Sequence, residues 1–244
     1  MRVVVLAHPR SNSLVEILDR HPALSIINEP FNENFASWGD GNADYLGRVA
    51  AGEDFDDLID ELFAEFTGLK ELSYQLDDDQ LARLVRRPNV RVIALRRRNV
   101  LQTAVSQLIA EQTDLWKTWD ADGSLEDHYR ALTPLDFDLI TDRMRWTIAE
   151  VARVEAALSE VDSARVLRVG YEDLYFVPQS TQDEWLAGLW SFLDLPRADD
   201  PEIAHFLSAA VKQARPSTYG RLPNLEAIEA RFGNDATGHL DFVN

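Results

Sequence analysis

Apolar residues fall into short β-branched runs separated by stretches with helical spacing. Arg2–Ala7 is one such run, and Val90–Leu95 reads most clearly as a strand buried on both faces. Leu24–Asn28, Leu69–Tyr74 and Ala164–Val169 are shorter runs of the same kind. Between them, apolar positions recur every three or four residues. That spacing predicts helices over Ser13–Arg20, Phe55–Phe66, Asp77–Arg86, Asn99–Thr113, Asp136–Leu158 and Gln182–Leu193. Gly39–Gly52 is glycine-rich and polar and reads as loop, and Thr118–Leu132 reads as a polar lid or substrate loop. Strands alternating with helices predict an α/β fold with a central, mostly parallel sheet flanked by helices in three layers. No repeat, low-complexity tract or boundary interrupts the pattern, so a single domain over residues 1–244 is expected.

Charge narrows the partners. With 24 Lys and Arg against 42 Asp and Glu, the formal net charge is −18, which argues against general affinity for nucleic acid or an anionic membrane. No apolar run approaches membrane-spanning length, and core strand begins at Val3, which leaves no room for a signal peptide. There is no cysteine, hence no disulfide framework and no thiolate chemistry, which fits a reducing, cytoplasmic setting. An anionic ligand would need a local basic pocket, and Arg96, Arg97 and Arg98 form one candidate cluster.

Two segments supply such pockets. VVVLAHPRSNSLVEIL at Val3–Leu18 and VRVIALRRRNVLQTAVS at Val90–Ser106 each run from a strand through a polar turn into a helix N-terminus. That order places basic and hydroxyl side chains beside free helical amides, a common device for holding an anion. Neither segment has the GK[ST] ending of a triphosphate-binding loop.

These residues resemble a known family. HPRSNS at His8–Ser13 resembles the PRSGS-type loop of sulfotransferases, which in that family holds the 5′-phosphosulfate of the donor PAPS. RRNVLQTAVSQLIAEQTDLW at Arg97–Trp116 resembles the family's 3′-phosphate motif. It is particularly similar to the bacterial carbohydrate sulfotransferases of the trehalose type, where an arginine, a serine eight residues later and an AxQTxxW tail recur. RVGYEDLYFVP…LWSFLDLP at Arg168–Pro196 resembles the YEDL…FLGLP stretch. The resemblance touches the beginning, middle and late part of the chain and implies a P-loop-like fold.

It also implies roles. Arg10 would bridge the 5′-phosphate and the transferring sulfuryl group, with Ser11, Asn12 and Ser13 completing the cradle. Asn12 departs from the family's usual glycine, and tolerates left-handed backbone better than most residues. Arg98 and Ser106 have the spacing of the 3′-phosphate pair, and Arg215 in KQARPS stands where relatives often have a late basic residue. Lys70 in TGLKEL resembles a lysine at the mouth of a central strand that contacts sulfate or acceptor, and Trp116 and Trp119 are candidates for an aromatic wall.

Sulfuryl transfer to a hydroxyl needs a base. Some branches of the family use glutamate from the segment after the first helix, where this chain has Glu29 and Glu33 in EPFNENF. Glu29 is the favoured base, at a strand end where ligand-facing residues of open α/β sheets gather. Glu33 is the alternative, with Glu29 orienting it. His8 comes next, and His21 reads as a surface or capping residue. The expected activity is transfer from PAPS to a hydroxyl of a carbohydrate, lipid or other small metabolite, releasing PAP and needing no metal. A small-molecule kinase with a degenerate P-loop and a non-catalytic PAP-binding relative are the alternatives. Acceptor and oligomeric state are open.

Overall fold

The computed structural model describes residues 1–7, 12–35, 44–115, 129–208 and 219–240. The chain divides into two compact units, one of residues 1–96 with 150–206 and one of residues 97–149 with 207–244.

The first unit is built on five parallel strands: β1 (Arg2–Ala7), β2 (Ile26–Asn28), β3 (Gly68–Leu72), β4 (Val90–Arg96) and β5 (Val166–Gly170), in the order β2-β3-β1-β4-β5. The all-parallel sheet agrees with the alternation read from the sequence. Val3, Val4, Val5, Val92 and Ile93 are all 0% exposed, so the central strands are covered on both faces, as β-branched runs of this kind require. Gly68 opens β3 where a Cβ would stand 2.5 Å from the Val3 carbonyl oxygen, too close for any side chain.

Helices supply the cover. In chain order the first unit contains α1 (Asn12–Asp19), α2 (Tyr45–Ala50), α3 (Phe55–Glu65) and α4 (Asp78–Arg86). The apolar stripes of α3 and α4, from Phe55 to Phe63 and from Leu81 to Val85, pack with Val4, Leu6, Leu69, Val92 and Ala94 into one core. A capping box fixes the start of α4: the Asp77 carboxylate accepts from Gln80 N at 2.8 Å, and the Gln80 amide oxygen accepts from Asp77 N at 3.0 Å.

The second unit contains α5 (Val100–Thr113), while α6 (Phe137–Leu158) begins in the second unit and ends in the first. The first unit continues with α7 (Tyr171–Tyr175), α8 (Gln179–Phe192) and all but the last residue of α9 (Glu202–Leu207), and α10 (Leu225–Phe232) lies in the second. The second unit has its own core, in which Leu101, Val105, Ile109, Ile140, Tyr219 and Ile228 meet.

Four expectations need correction. Gly39–Gly52 is not loop throughout: Tyr45–Ala50 is helical, capped by Asp44 accepting from Gly47 N at 2.8 Å and anchored by Tyr45 against Phe31 and Phe35. Strand β2 starts at Ile26, not Leu24, because Leu24 N donates to the His21 carbonyl and holds that stretch in a turn. Strand β3 stops at Leu72, since the Gln75 side chain accepts from Leu72 N at 2.9 Å and closes a 3-10 turn over Ser73–Gln75. His21 caps the turn as one of its two readings has it, Nδ1 accepting from Ala23 N, but it is buried, not on the surface: Nε2 is left to donate to the Pro196 carbonyl at 3.1 Å, and its ring lies 5.2 Å from Trp190. Helices α9 and α10 lie beyond the last helix that periodicity predicts.

Candidate functional site

The strand order makes the carboxyl ends of β1 and β3 the place where the chain's winding reverses, the usual site of ligand-facing residues in an open α/β sheet. The residues that gather there in the first unit are charged and buried. Lys70 on β3 is 1% exposed, and its Nζ donates to Glu29 Oε1. Glu29 follows the last residue of β2, and its backbone N–H extends the β2–β3 ladder to the Lys70 carbonyl at 2.7 Å.

Glu29 adopts φ of 56°, a left-handed conformation that is uncommon outside glycine and asparagine. The turn is fixed by contacts on both sides. Asn32 N donates to the Glu29 carbonyl at 3.0 Å, and the side chains of Asn32 and Gln75 donate to Glu29 Oε2 at 2.6 and 3.1 Å. Burial works to raise the Glu29 pKa. The Lys70 charge and the hydrogen bonds from Lys70, Gln75 and Asn32 outweigh it, so Glu29 titrates below the usual glutamate range. A second carboxyl, Glu71, is 0% exposed and accepts from Phe31 N at 2.9 Å through Oε1. Burial, with the Glu29 charge adding, pushes it well above the usual range against the pull of the Phe31 N–H, Lys70 and the Leu72 N–H.

A cleft opens beside this cluster, at the carboxyl ends of β1 and β4. Ala7, Ala94, Leu95 and Val154 make its apolar wall, and Ser73, Arg96, Glu150 and Glu155 its polar rim. Ser73 donates to Glu150 at 3.0 Å, and Arg168 holds Glu155 at 2.9 Å. Arg96 reaches Glu155 only at 3.7 Å and stays half exposed.

In the second unit, Arg98 is exposed immediately before Asn99, the N-cap of α5. Two amides of that helix's first turn are already satisfied: Gln102 N donates to the Asn99 side chain at 2.8 Å, and Leu101 N to the Thr237 carbonyl at 2.9 Å. Those two amides are therefore not open to a further acceptor. Ser106 lies two turns along, 1% exposed, with its hydroxyl 2.6 Å from that of Tyr219, itself 1% exposed. Gly238, at φ of 88°, packs against the cap, and a Cβ there would stand 2.3 Å from Asn99 Cγ.

The remaining candidates fall as follows. Asn12 and Ser13 form the first turn of α1, and Asn12 has no positive φ, so its backbone makes no left-handed demand. Glu33 is exposed in the turn after Glu29. His8, Arg10, Ser11, Trp116, Trp119 and Arg215 lie outside the described residues. Sequence reading finds Glu29 and Lys70 separately but not their bond, and it misses Asn32, Glu71, Gln75 and Tyr219. The one available signal for Glu71 is a pair of consecutive charges inside the short apolar run GLKEL. Among the described residues no helix is long and apolar enough to cross a membrane, and no group of three or more His, Asp or Glu side chains is placed to hold a metal ion.

No protein-family model matches the chain, and no curated protein matches it. Among solved structures it is similar to "Sulfotransferase Domain from the Curacin Biosynthetic Pathway", at 18% identity over 83% of this chain and 76% of that one, with a TM-score of 0.48. It is also similar to the sulfotransferase from Alicyclobacillus acidocaldarius, at 17% identity over 95% of each chain, with a TM-score of 0.49.

Proposed function

We propose that the chain is a PAPS-dependent sulfotransferase of the cytoplasm, a single functional domain that moves a sulfuryl group to a hydroxyl of a carbohydrate, lipid or other small metabolite and releases PAP. The observation that carries this reading is the level pairing of its two motif-bearing strands. Strand β1 pairs parallel with β4, Ala7 opposite Leu95, and each strand leads in the chain into a basic, hydroxyl-bearing segment and then a helix. The trehalose-type character rests on the Arg98, Ser106 and AxQTxxW spacing alone.

In this reading Arg10, Ser11, Asn12 and Ser13 hold the phosphosulfate, and Arg98 and Ser106, with Arg215, hold the 3′-phosphate. Lys70 and Trp116 serve the acceptor. The acceptor oxygen forms a bond to sulfur as the bond from sulfur to the 5′-phosphate oxygen breaks, and the hydroxyl proton passes to Glu29. Arginine charge offsets the negative charge that builds on the departing phosphate, so the transfer itself needs no metal. Lys70, Gln75 and Asn32 weaken Glu29 as a base, but they hold it ionised and aimed.

The test is calorimetric titration of the full chain with PAP, adenosine 5′-phosphate and ATP, followed by a transfer assay with labelled PAPS over a panel of hydroxyl acceptors. PAP should bind at least about tenfold tighter than adenosine 5′-phosphate, the worth of one charge-assisted contact. Preference for ATP with magnesium would turn the reading to a kinase. PAP binding without transfer to any acceptor would leave a binding protein.

A further inference from the structure

Two buried carboxyls lie near one buried cation at the end of β3, and only one of them is bonded to it. Lys70 Nζ bonds to Glu29, which accepts from Asn32 and Gln75 as well. Glu71, the next residue along the strand, is fully buried, yet Oε1 accepts only a backbone N–H, that of Phe31, and Oε2 has no hydrogen-bond partner among the described residues. A carboxylate buried with so few donors is costly to ionise, whereas the neutral acid is not. We propose that Glu71 is a positioning residue that keeps its proton at neutral pH, so that the negative charge rests on Glu29 and the Glu29–Phe31 turn is held in its left-handed form.

Among the described residues, the charged groups acting on Glu71 are Glu29, from the turn, and Lys70, from its own strand. Burial raises its pKa most, and the Glu29 charge raises it further; Lys70 and two backbone amides pull the other way without reversing the outcome. Ionising Glu71 would set a second negative charge beside Glu29 and draw on the Lys70 charge that now serves Glu29. Transfer should therefore decline as pH rises through the Glu71 titration. That last step rests on Glu29 being the base proposed above; the protonation does not.

Difference infrared spectroscopy of the full chain reads the proton directly. At neutral pH the wild type should show the carbonyl band of a protonated carboxyl, absent from Glu71→Gln. The band should fade from the wild type only on the alkaline side. A wild type without it at neutral pH overturns the proposal, however the variant folds. Glu71→Gln keeps an acceptor for Phe31 N–H and cannot ionise, so its kcat/KM should lose the alkaline decline. A merely structural Glu71 would leave that decline in place and sink the positioning role. A chain with the band but no sulfuryl transfer would uphold the protonation and defeat the activity reading instead.

Discussion

The ammonium of Lys70 and the carboxylate of Glu29 meet inside the first unit, with side-chain exposures of 1% and 11%. Two charges taken this far from water stabilise the fold only while they stay together. Lys70→Met should strand the Glu29 charge and lower stability by about 3–5 kcal/mol. Adding Glu29→Gln should recover part of that loss, because the second change removes the orphaned charge. Urea unfolding of the two single variants and the double variant measures the coupling. A loss below about 1 kcal/mol for Lys70→Met, the level of a surface pair, would contradict the buried pairing.

Acid should unpick the same pair. Glu29 titrates below its ordinary range in the folded chain, so it binds fewer protons folded than unfolded near its ordinary pKa. Its contribution is complete above the unfolded pKa and is lost as pH falls through the lower, folded one. Glu29→Gln should make stability less dependent on pH across that acidic window. Urea midpoints measured through the window check this, and parallel wild-type and variant curves would refute it.

Part of this was readable from spacing. Strands β1 and β4 announce themselves because burial on both faces demands an unbroken apolar run, and Val3–Leu6 and Val92–Leu95 are such runs. The bond between Lys70 and Glu29 spans 41 residues of sequence, and no local period records a contact of that range. Helix α2 was hidden for a similar reason: six residues held by an aspartate cap and by Tyr45 against two phenylalanines carry too little pattern of their own. Glu71 beside Lys70 in a buried strand is the lesson for reading: two charges inside an apolar run imply partners elsewhere in the fold.

Arg98 and Ser106 should separate by their burial. Arg98 is exposed, so Arg98→Ala should leave stability within about 0.5 kcal/mol of wild type. Ser106 is 1% exposed and bonded to Tyr219, so Ser106→Ala should cost about 1–2 kcal/mol of stability besides any binding loss. Each should weaken PAP by roughly tenfold or more and adenosine 5′-phosphate far less. Equal losses for both ligands would remove the pair from a 3′-phosphate site.

Gly238→Ala tests the clamp on the start of α5. The new methyl would meet Asn99 at 2.3 Å on a backbone of positive φ, so the cap must move. A stability loss of about 1–3 kcal/mol is expected. Gln102 and Leu101 should lose amide protection in hydrogen exchange, since Asn99 and Thr237 hold those two groups. Unchanged protection would show that the cap absorbs the methyl without moving.

The base is decided by two glutamines. Glu29 is buried, bonded to three side chains and held at a left-handed backbone position, an arrangement that defines its direction at the expense of its basicity. Glu33 is exposed in the adjoining turn, where a carboxylate keeps its hydration and no bond among the described residues fixes its aim. A general base acts by position first, and losing it costs roughly 10²–10⁴-fold in rate. Glu29→Gln should therefore fall by that factor in sulfuryl transfer while keeping PAP affinity, and Glu33→Gln should stay within about threefold of wild type. Glu29→Gln also releases Lys70 from its anion, so stability must be measured beside the rate. A folded Glu29→Gln with near-normal transfer and an inactive Glu33→Gln would make Glu29 the orienting residue and Glu33 the base. The pH–rate profile separates the two as well: with Glu29 as base, activity should persist to more acid pH than an ordinary glutamate allows, because its folded pKa is depressed.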